Sequence, residues 1–386
     1  MANTLTNLIP TLYAALDVVS RELVGMIPAV SRNSTAERVA LNQTVNIPVA
    51  LPIAGADIVA GQQPADDGDA APDNVTMTIT KSRYWPVRWN GEEELAVSAS
   101  GLKDNFVTQQ FAQALRAATN EIEADLTALH AVFSRAFGTA GTTPFGTAGD
   151  LSDISFTKKI LEDNGAPLTD LKMVLGTSAR ANLGGKQGTL FKVNEAGTDE
   201  LLRRGIIGQL EGFNIHGTGQ LKTHTKGTGA SATTNTAGYA VGAKVITLAV
   251  AGTGTIVAGD VITFAGDTEK YVVIAGDADV SDGGTITLQE PGLRQAIPTS
   301  ATAITLVANS ARNMAFSQSA IQLATRMPAL PKGGDSASDR MSIADPVSGL
   351  TFEVSRYALY RRVKFEIAIA WGVKVIAPRH TALLLG

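Results

Sequence analysis

The chain has 386 residues, with 32 Lys plus Arg, 36 Asp plus Glu and no cysteine, which excludes disulfides, thiolate chemistry and Cys-ligated metals. A formal net charge of −4 is too slight an imbalance for a dedicated nucleic-acid binder. Charged residues make up only 18% while Gly reaches 38 residues, so many turns and much buried or contacted surface are expected.

Pro10 pre-sets a first helical turn, and Leu12, Leu16, Val19 and Leu23 then mark an amphipathic arm that Gly25 and Pro28 stop. From Val45 the period changes to two: Val45, Ile47, Val49, Leu51 and Ile53 share a face, with Pro48 and Pro52 tolerated only on an edge strand. A matching strand runs through Val75, Met77 and Ile79. Between them, residues 54–74 hold Asp57, Asp66, Asp67, Asp69 and Asp73 and no Lys or Arg, the composition of a solvated tip. A two-stranded ribbon of this kind is marginal alone and is expected to bury its apolar face on a neighbour.

Residues 100–137 carry one helical stripe, Leu102, Phe106, Phe111, Leu115, Ala118, Ile122, Leu126, Leu129 and Phe133. A helix of that span would be a strut of roughly 55 Å. Gly138, Gly141, Pro144 and Gly146 end it. A helix over 155–163, a strand over 171–175 and a helix near 199–204 then read as a compact α+β region. Residues 217–238 have the composition of a flexible connection. Beyond them, strand patterns at 244–250, 260–264, 270–274, 285–288 and 303–307 alternate with Gly and Asp turns and predict a small inserted β-barrel. The chain closes with strands at about 350–357, 362–371 and 373–376; Val363, Phe365, Ile367 and Ile369 share one face of the second.

The chemistry-bearing motifs fail on their mechanics. Gly184-Gly185-Lys186 lacks the first Gly (Arg180) and the hydroxyl (Gln187) of a phosphate loop, and reads as a surface turn. Asp277, Asp279 and Ser281 mimic the start of a calcium loop, yet Asp282 replaces the turn Gly and Leu288 the bidentate Glu. His130, His216, His224 and His380 have no metal-ligand spacing and read as ordinary surface or helix histidines. Glu92, Glu93 and Glu94 read as linker carboxylates that form a solvated face or meet a basic neighbour. No catalytic residue, cofactor or metal is expected, and no apolar run approaches the ~18 residues of a membrane span. With no cleavable leader pattern, a soluble product that stays where it is made is expected. The densest cationic stretch, Arg356, Arg361, Arg362 and Lys364 with Tyr357 and Tyr360, is expected to meet acidic groups of a neighbour, the aspartate-rich tip being the candidate. The candidate inter-subunit contacts are therefore Asp57, Asp66, Asp67, Asp69 and Asp73 against Arg361, Arg362 and Lys364.

An arm, a ribbon, a strut, an α+β region interrupted by a barrel and a closing sheet suit a shell subunit better than an enzyme. Residues 1–25 (MANTLTNLIPTLYAALDVVSRELVG), 78–94 (TITKSRYWPVRWNGEEE) and the barrel-bearing centre resemble the major capsid (coat) proteins of tailed bacteriophages, the branch resembled being the P-twenty-two-like short-tailed phages. The resemblance implies an α+β, HK-ninety-seven-like major capsid fold. Its expected parts are an N-arm (1–40), an extended β-hairpin loop (41–99), a long spine helix (100–137), a peripheral domain (138–152 and 332–386), an axial domain (153–217 and 309–331) and an inserted β-barrel (218–308). It further implies hexamers and pentamers in an icosahedral head, a scaffolding protein, a portal protein, packaged double-stranded DNA held non-specifically, and assembly in the host cytoplasm before incorporation in the virion. No membrane partner is implied. The insert's leading loop, Lys222 to Gly238, lacks acids, so inter-capsomer salt bridges of related coats have no counterpart residues there. The competing reading is a non-capsid phage structural protein, a tail or decoration module that binds another surface through the barrel.

Overall fold

In the computed structural model the described residues are 15, 24–49, 57, 58, 60, 61, 63, 73–99, 103–186, 208–345 and 348–386. The chain begins, after Ala15, with a one-turn helix α1 (Met26–Ala29), strand β1 (Ser31–Val39), the ribbon strands β2 (Thr44–Val49) and β3 (Asp73–Thr78), and β4 (Lys81–Asn90). Helices α2 (Gly91–Ala99) and α3 (Lys103–Ala128) follow, then a 3-10 turn (Leu129–Val132), β5 (Arg135–Phe137), α4 (Ser152–Asp163), β6 (Leu171–Gly176) and α5 (Thr177–Lys186). Next come β7 (Gln209–Leu210), β8 (Phe213–Thr218), β9 (Thr223–His224), β10 (Val245–Leu248), β11 (Val261–Phe264), β12 (Lys270–Ala275), β13 (Gly284–Leu288) and β14 (Ile304–Leu306). Strands β15 (Ser310–Ser317), β16 (Ile321–Pro328), β17 (Ala337–Ala344), β18 (Thr351–Leu359), β19 (Arg362–Val375) and β20 (Thr381–Leu385) complete an α+β fold.

Two large sheets share one core. The six-stranded sheet runs β1-β16-β19-β18-β17, with β4 laid antiparallel along β19 from Lys81↔Trp371 to Asn90↔Arg362. The twelve-stranded sheet carries β5, β20, β15, β6 and β8 and continues through the β5–β12 pairing into the strands of the 245–306 region. The stripe on α3 fills the space between them: Phe111, Leu115, Ala118, Ile122 and Leu126 pack with Val87, Trp89, Ile367, Ile369 and Trp371 from one sheet and Met314, Phe316 and Leu383 from the other. Lys103–Ala128 contains no Gly or Pro, as a long unbroken helix requires.

The strut is shorter than its periodicity suggests. Its 26 residues span about 39 Å. The helix tightens at Leu129 and gives way at Phe133, which is fully buried edge-on to Phe316, while Arg135–Phe137 pair with β20 and β12. Two long-range ladders thus override the helical period of the last residues. Leu12, Leu16, Val19 and Leu23 of the expected arm lie outside the described residues, as does the helix expected near 199–204. Pro28 does not end a helix but sits inside α1, where a first-turn proline loses no hydrogen bond. Residues 217–238 are not a free connection: bridges from Ala230 to Thr253, Thr233 to Ala303 and Thr234 to Leu248 hold them in place, and Tyr239 directly after them bridges to Ile297.

All five strands expected in the insert are present, within about two residues at their ends. Pairings run β10-β13-β12-β11-β14, and Thr233 and Thr234 bridge back from β14 to β10, so the pairings form a closed ring. Its interior is a separate apolar cluster that includes Ile246, Leu248, Ile262, Phe264, Val273, Ile286 and Ile304.

Candidate assembly surfaces and the ties beneath them

The ribbon pairs Thr44↔Thr78 through Val49↔Asp73, and among the described residues no third strand joins it. Its apolar face does not wait for a neighbour. Met77 and Ile79 are buried, and Val45 and Ile47 half-buried, against Val39, Ala324 and Ala370 of the same chain. The expectation that this face is covered by another subunit is therefore corrected for the described residues, because β1, β16 and β19 supply an apolar surface directly under the ribbon base. The fit is close: a Cβ on Gly372 would collide with the carbonyl oxygen of Thr78. The Lys374 ammonium also donates to the Thr76 carbonyl at 2.8 Å.

At the opposite end of β19 lies the cationic corner. Leu359 pairs with Arg362, leaving Tyr360 and Arg361 as a two-residue turn with Arg361 at φ 54°. The Arg361 carbonyl accepts the Gly91 N–H at 3.3 Å, so the start of α2 abuts this turn. Arg361 and Arg362 are exposed, beside Tyr360 at 88% exposure, and form no ion pair with another described residue. Lys364 differs. It pairs with Glu366 on its own strand and lies over the rings of Tyr84 (5.1 Å) and Tyr357 (5.8 Å). Of the acidic candidates, Asp57 is exposed and Asp73 opens β3, whereas Asp66, Asp67 and Asp69 lie outside the described residues.

Beneath these surfaces, charged groups tie the frame together. Lys81 bonds to Glu121 (3.0 Å) and Asp125 (2.9 Å) of α3; although burial opposes its charge, these carboxylates hold its ammonium pKa above the ordinary value. The Trp371 indole donates to Asp125 at 2.9 Å and stacks on Trp85. On the outer sheet face, Glu353 is bridged by Arg38 (2.5 Å) and Arg340 (3.0 Å). Hydrogen bonds from Arg340 and Tyr357 hold the Asp335 carboxyl down at about 2. Glu123, fully buried on α3, accepts the backbone N–H of Gly25 (2.7 Å), Met26 (2.7 Å) and Ile27 (3.1 Å). Burial pushes its pKa up, and those N–H bonds oppose the shift. A groove of about 630 Å³ separates β4 from the first half of α3, lined by Trp85, Val87, Arg88, Phe106, Gln110 and Gln113 among others.

The motifs considered for chemistry take structural roles. Gly184-Gly185-Lys186 form the last turn of α5, not a loop. Asp277 Oδ1 accepts the Asp279 N–H (2.8 Å) and Asp279 Oδ1 the Ser281 N–H (3.0 Å), making the turn between β12 and β13. Glu92–Glu94 are not a linker but the first turn of α2: Asn90 Oδ1 accepts the Glu93 N–H (2.8 Å) and Glu93 accepts the Asn90 N–H (3.0 Å). That reciprocal cap follows an N-x-x-E spacing. Two histidines are neither surface groups nor isolated: His130 and His224, 8% and 10% exposed, face each other. The Glu123 contacts and the His130–His224 contact join residues nearly a hundred positions apart, which no local spacing signals. Among the described residues, no cluster of three or more His, Asp or Glu could hold a metal.

No family model matches the chain, and no curated protein matches it. Solved structures do. A Mycobacterium phage Che8 structure is 12% identical, with 89% of this chain and 84% of that chain covered at a TM-score of 0.45. The capsid structure of cyanophage P-SCSP1u is 10% identical, covering 92% and 86% at 0.47. The virus-like particle from Pyrococcus furiosus is 8% identical, covering 97% and 98% at 0.40.

Proposed function

We propose that this chain is the major capsid protein of a tailed bacteriophage, one copy of a shell subunit that closes into an icosahedral head. The observation that carries the reading is a rigid frame with open strand edges. The ribbon and the ten residues of β4 present strand edges that no other described strand pairs, while α3 locks β4 to the two sheets and the ribbon base packs on β1, β16 and β19. Monomeric proteins protect such edges; repeated, symmetry-related contacts use them.

In this reading residues 1–40 are the N-arm, 41–99 the extended loop, 100–137 the spine region, 138–152 with 332–386 the peripheral domain, 153–217 with 309–331 the axial domain, and 218–308 an inserted β-barrel. The acidic segment around Asp57, Asp66, Asp67, Asp69 and Asp73 meets Arg361 and Arg362 of an adjacent copy, with Lys364 behind them. The exposed Arg361 and Arg362, which form no ion pair with another described residue, support that assignment. Hexamers and pentamers, a scaffolding protein, a portal, enclosed double-stranded DNA and later expansion belong to the same reading, as does assembly in the host cytoplasm. Weak contacts repeated over a closed lattice then give a stable shell.

Electron microscopy of the purified protein, with and without co-expressed scaffolding protein, tests it. Closed polyhedral particles are expected. Monomers or open tubes under both conditions would remove the proposal in favour of a tail or decoration module.

A further inference from the structure

Strand β15 carries two buried polar side chains that no protein group satisfies. Its residues alternate between two cores: Met314 and Phe316 pack beneath the long helix, whereas Ala315 packs on the opposite side with Met173 and Leu384. Ser310 and Arg312 share the face of Met314 and are 2% and 0% exposed. Neither the Ser310 hydroxyl nor any of the three Arg312 guanidinium nitrogens makes a hydrogen bond. Burial pulls the Arg312 pKa down to about 10 against the attraction of Asp260, so the side chain keeps its charge at neutral pH. Asp260, itself fully buried, attracts the guanidinium without bonding to it. Its carboxyl oxygens are turned instead to the backbone N–H groups of Gly227 (3.1 Å) and Val257 (2.8 Å) and to His224 Nε2 (2.9 Å). His130 lies in the field of Arg312, and Lys222 adds a second positive charge there.

A guanidinium inside a core, with nothing to accept its N–H groups, is strongly unfavourable. Water would satisfy the donors but leave the charge uncompensated; an anion does both. The local packing sets its size. A Cβ on Gly259 would lie 2.9 Å from the His224 ring and 3.1 Å from Ala131, and Ser310 faces His224 across the β9–β15 pairing, which favours a single-atom anion over a tetrahedral one. We propose that Arg312 and Ser310 hold one buried chloride ion, which accepts from the guanidinium and from the Ser310 hydroxyl where β15, β9 and the end of α3 meet. The ion is a structural part of the subunit, present whether or not the chain assembles.

Urea unfolding of the full-length protein in sodium chloride and in sodium gluconate, at one fixed ionic strength, reads the site, because an ion bound only by the folded state shifts the equilibrium by mass action. Above half-saturation, each tenfold rise in chloride is expected to multiply the folding equilibrium constant by about ten. Gluconate, too large for the site, should give no such rise. Crystals grown in bromide should show an anomalous-diffraction peak against the Arg312 guanidinium. Arg312→Met, uncharged and apolar, should lose the chloride dependence, and Ser310→Ala should weaken it. Equal unfolding midpoints in chloride and gluconate, ordered water alone against Arg312, or an unchanged chloride dependence in Arg312→Met overturns the proposal. So does a bromide peak without chloride-dependent stability, which would mark an adventitious ion only. The wild-type measurements decide even if Arg312→Met fails to fold.

Discussion

Glu123 does at residue scale what the rest of the frame does with whole elements: one buried carboxylate ties the entry of α1 to the middle of the long helix through three backbone N–H groups. Glu123→Ala leaves those donors without partners and should cost about 3–5 kcal/mol in urea unfolding, whereas Glu123→Gln, which still accepts with one oxygen, should cost about half as much. His130 predicts a pH dependence. Burial first, then Arg312, His224 and Lys222, push its pKa from 6.5 to about 4 against the pull of the Thr127 carbonyl. The unfolded chain therefore binds more protons between those values. Stability from this group is complete above pH 6.5 and falls as pH drops through about 4, by about 3 kcal/mol in full. Burial also depresses His216 and His380, which act in the same direction. Urea midpoints between pH 4 and 7 should show the loss, and His130→Asn should remove the largest part of it.

Among the elements, the ribbon base and the β18–β19 turn make separable predictions. Gly372→Ala puts a methyl group against the Thr78 carbonyl, so either the ribbon lifts or β19 bends. A loss of about 2 kcal/mol and faster exchange at the amides of Val75–Thr80 are expected. At the turn, Arg361→Gly relieves a left-handed backbone and should raise stability by about 0.5–1 kcal/mol, while Arg361→Glu with Arg362→Glu retains the fold but weakens assembly. Equal particle yields from the charge-reversed and wild-type proteins would show that the corner is not a contact.

The same elements show what a sequence makes legible. The ring strands were readable because short β-branched runs alternate with Gly and Asp turns. Strand β20, TALLL, is buried at every position and shows no alternation, and β1, SRNSTAERV, is largely polar, so neither carries a period. Gly184 and Gly185 hide helix α5, and the periodicity overstates the strut because its stripe continues through Phe133 into a strand. Arg361 and Arg362 were visible as a cationic run. Glu123 and the histidine pair were invisible, since their partners arrive only through tertiary folding.

For the molecule as a whole, the division between what holds the subunit and what joins subunits follows from where the apolar surface is spent. Met77, Ile79, Val45 and Ile47 are used inside the subunit, so the ribbon base adds intramolecular stability and the acidic segment beyond it adds none through this cluster. Replacing residues 54–72 with a short turn that closes β2 onto β3 should therefore leave the urea midpoint of the isolated subunit within about 0.5 kcal/mol of wild type, as for surface changes remote from the core. The same change should abolish closed particles, because Asp57, Asp66, Asp67 and Asp69, four of the five aspartates proposed to meet the cationic corner, are gone. Sedimentation and microscopy read the second effect and unfolding reads the first. Closed shells of normal stability from the shortened chain would place the assembly contacts elsewhere, with the β4 edge and the groove beside α3 as the remaining surfaces. A large fall in subunit stability would instead mean that the segment folds back on its own chain.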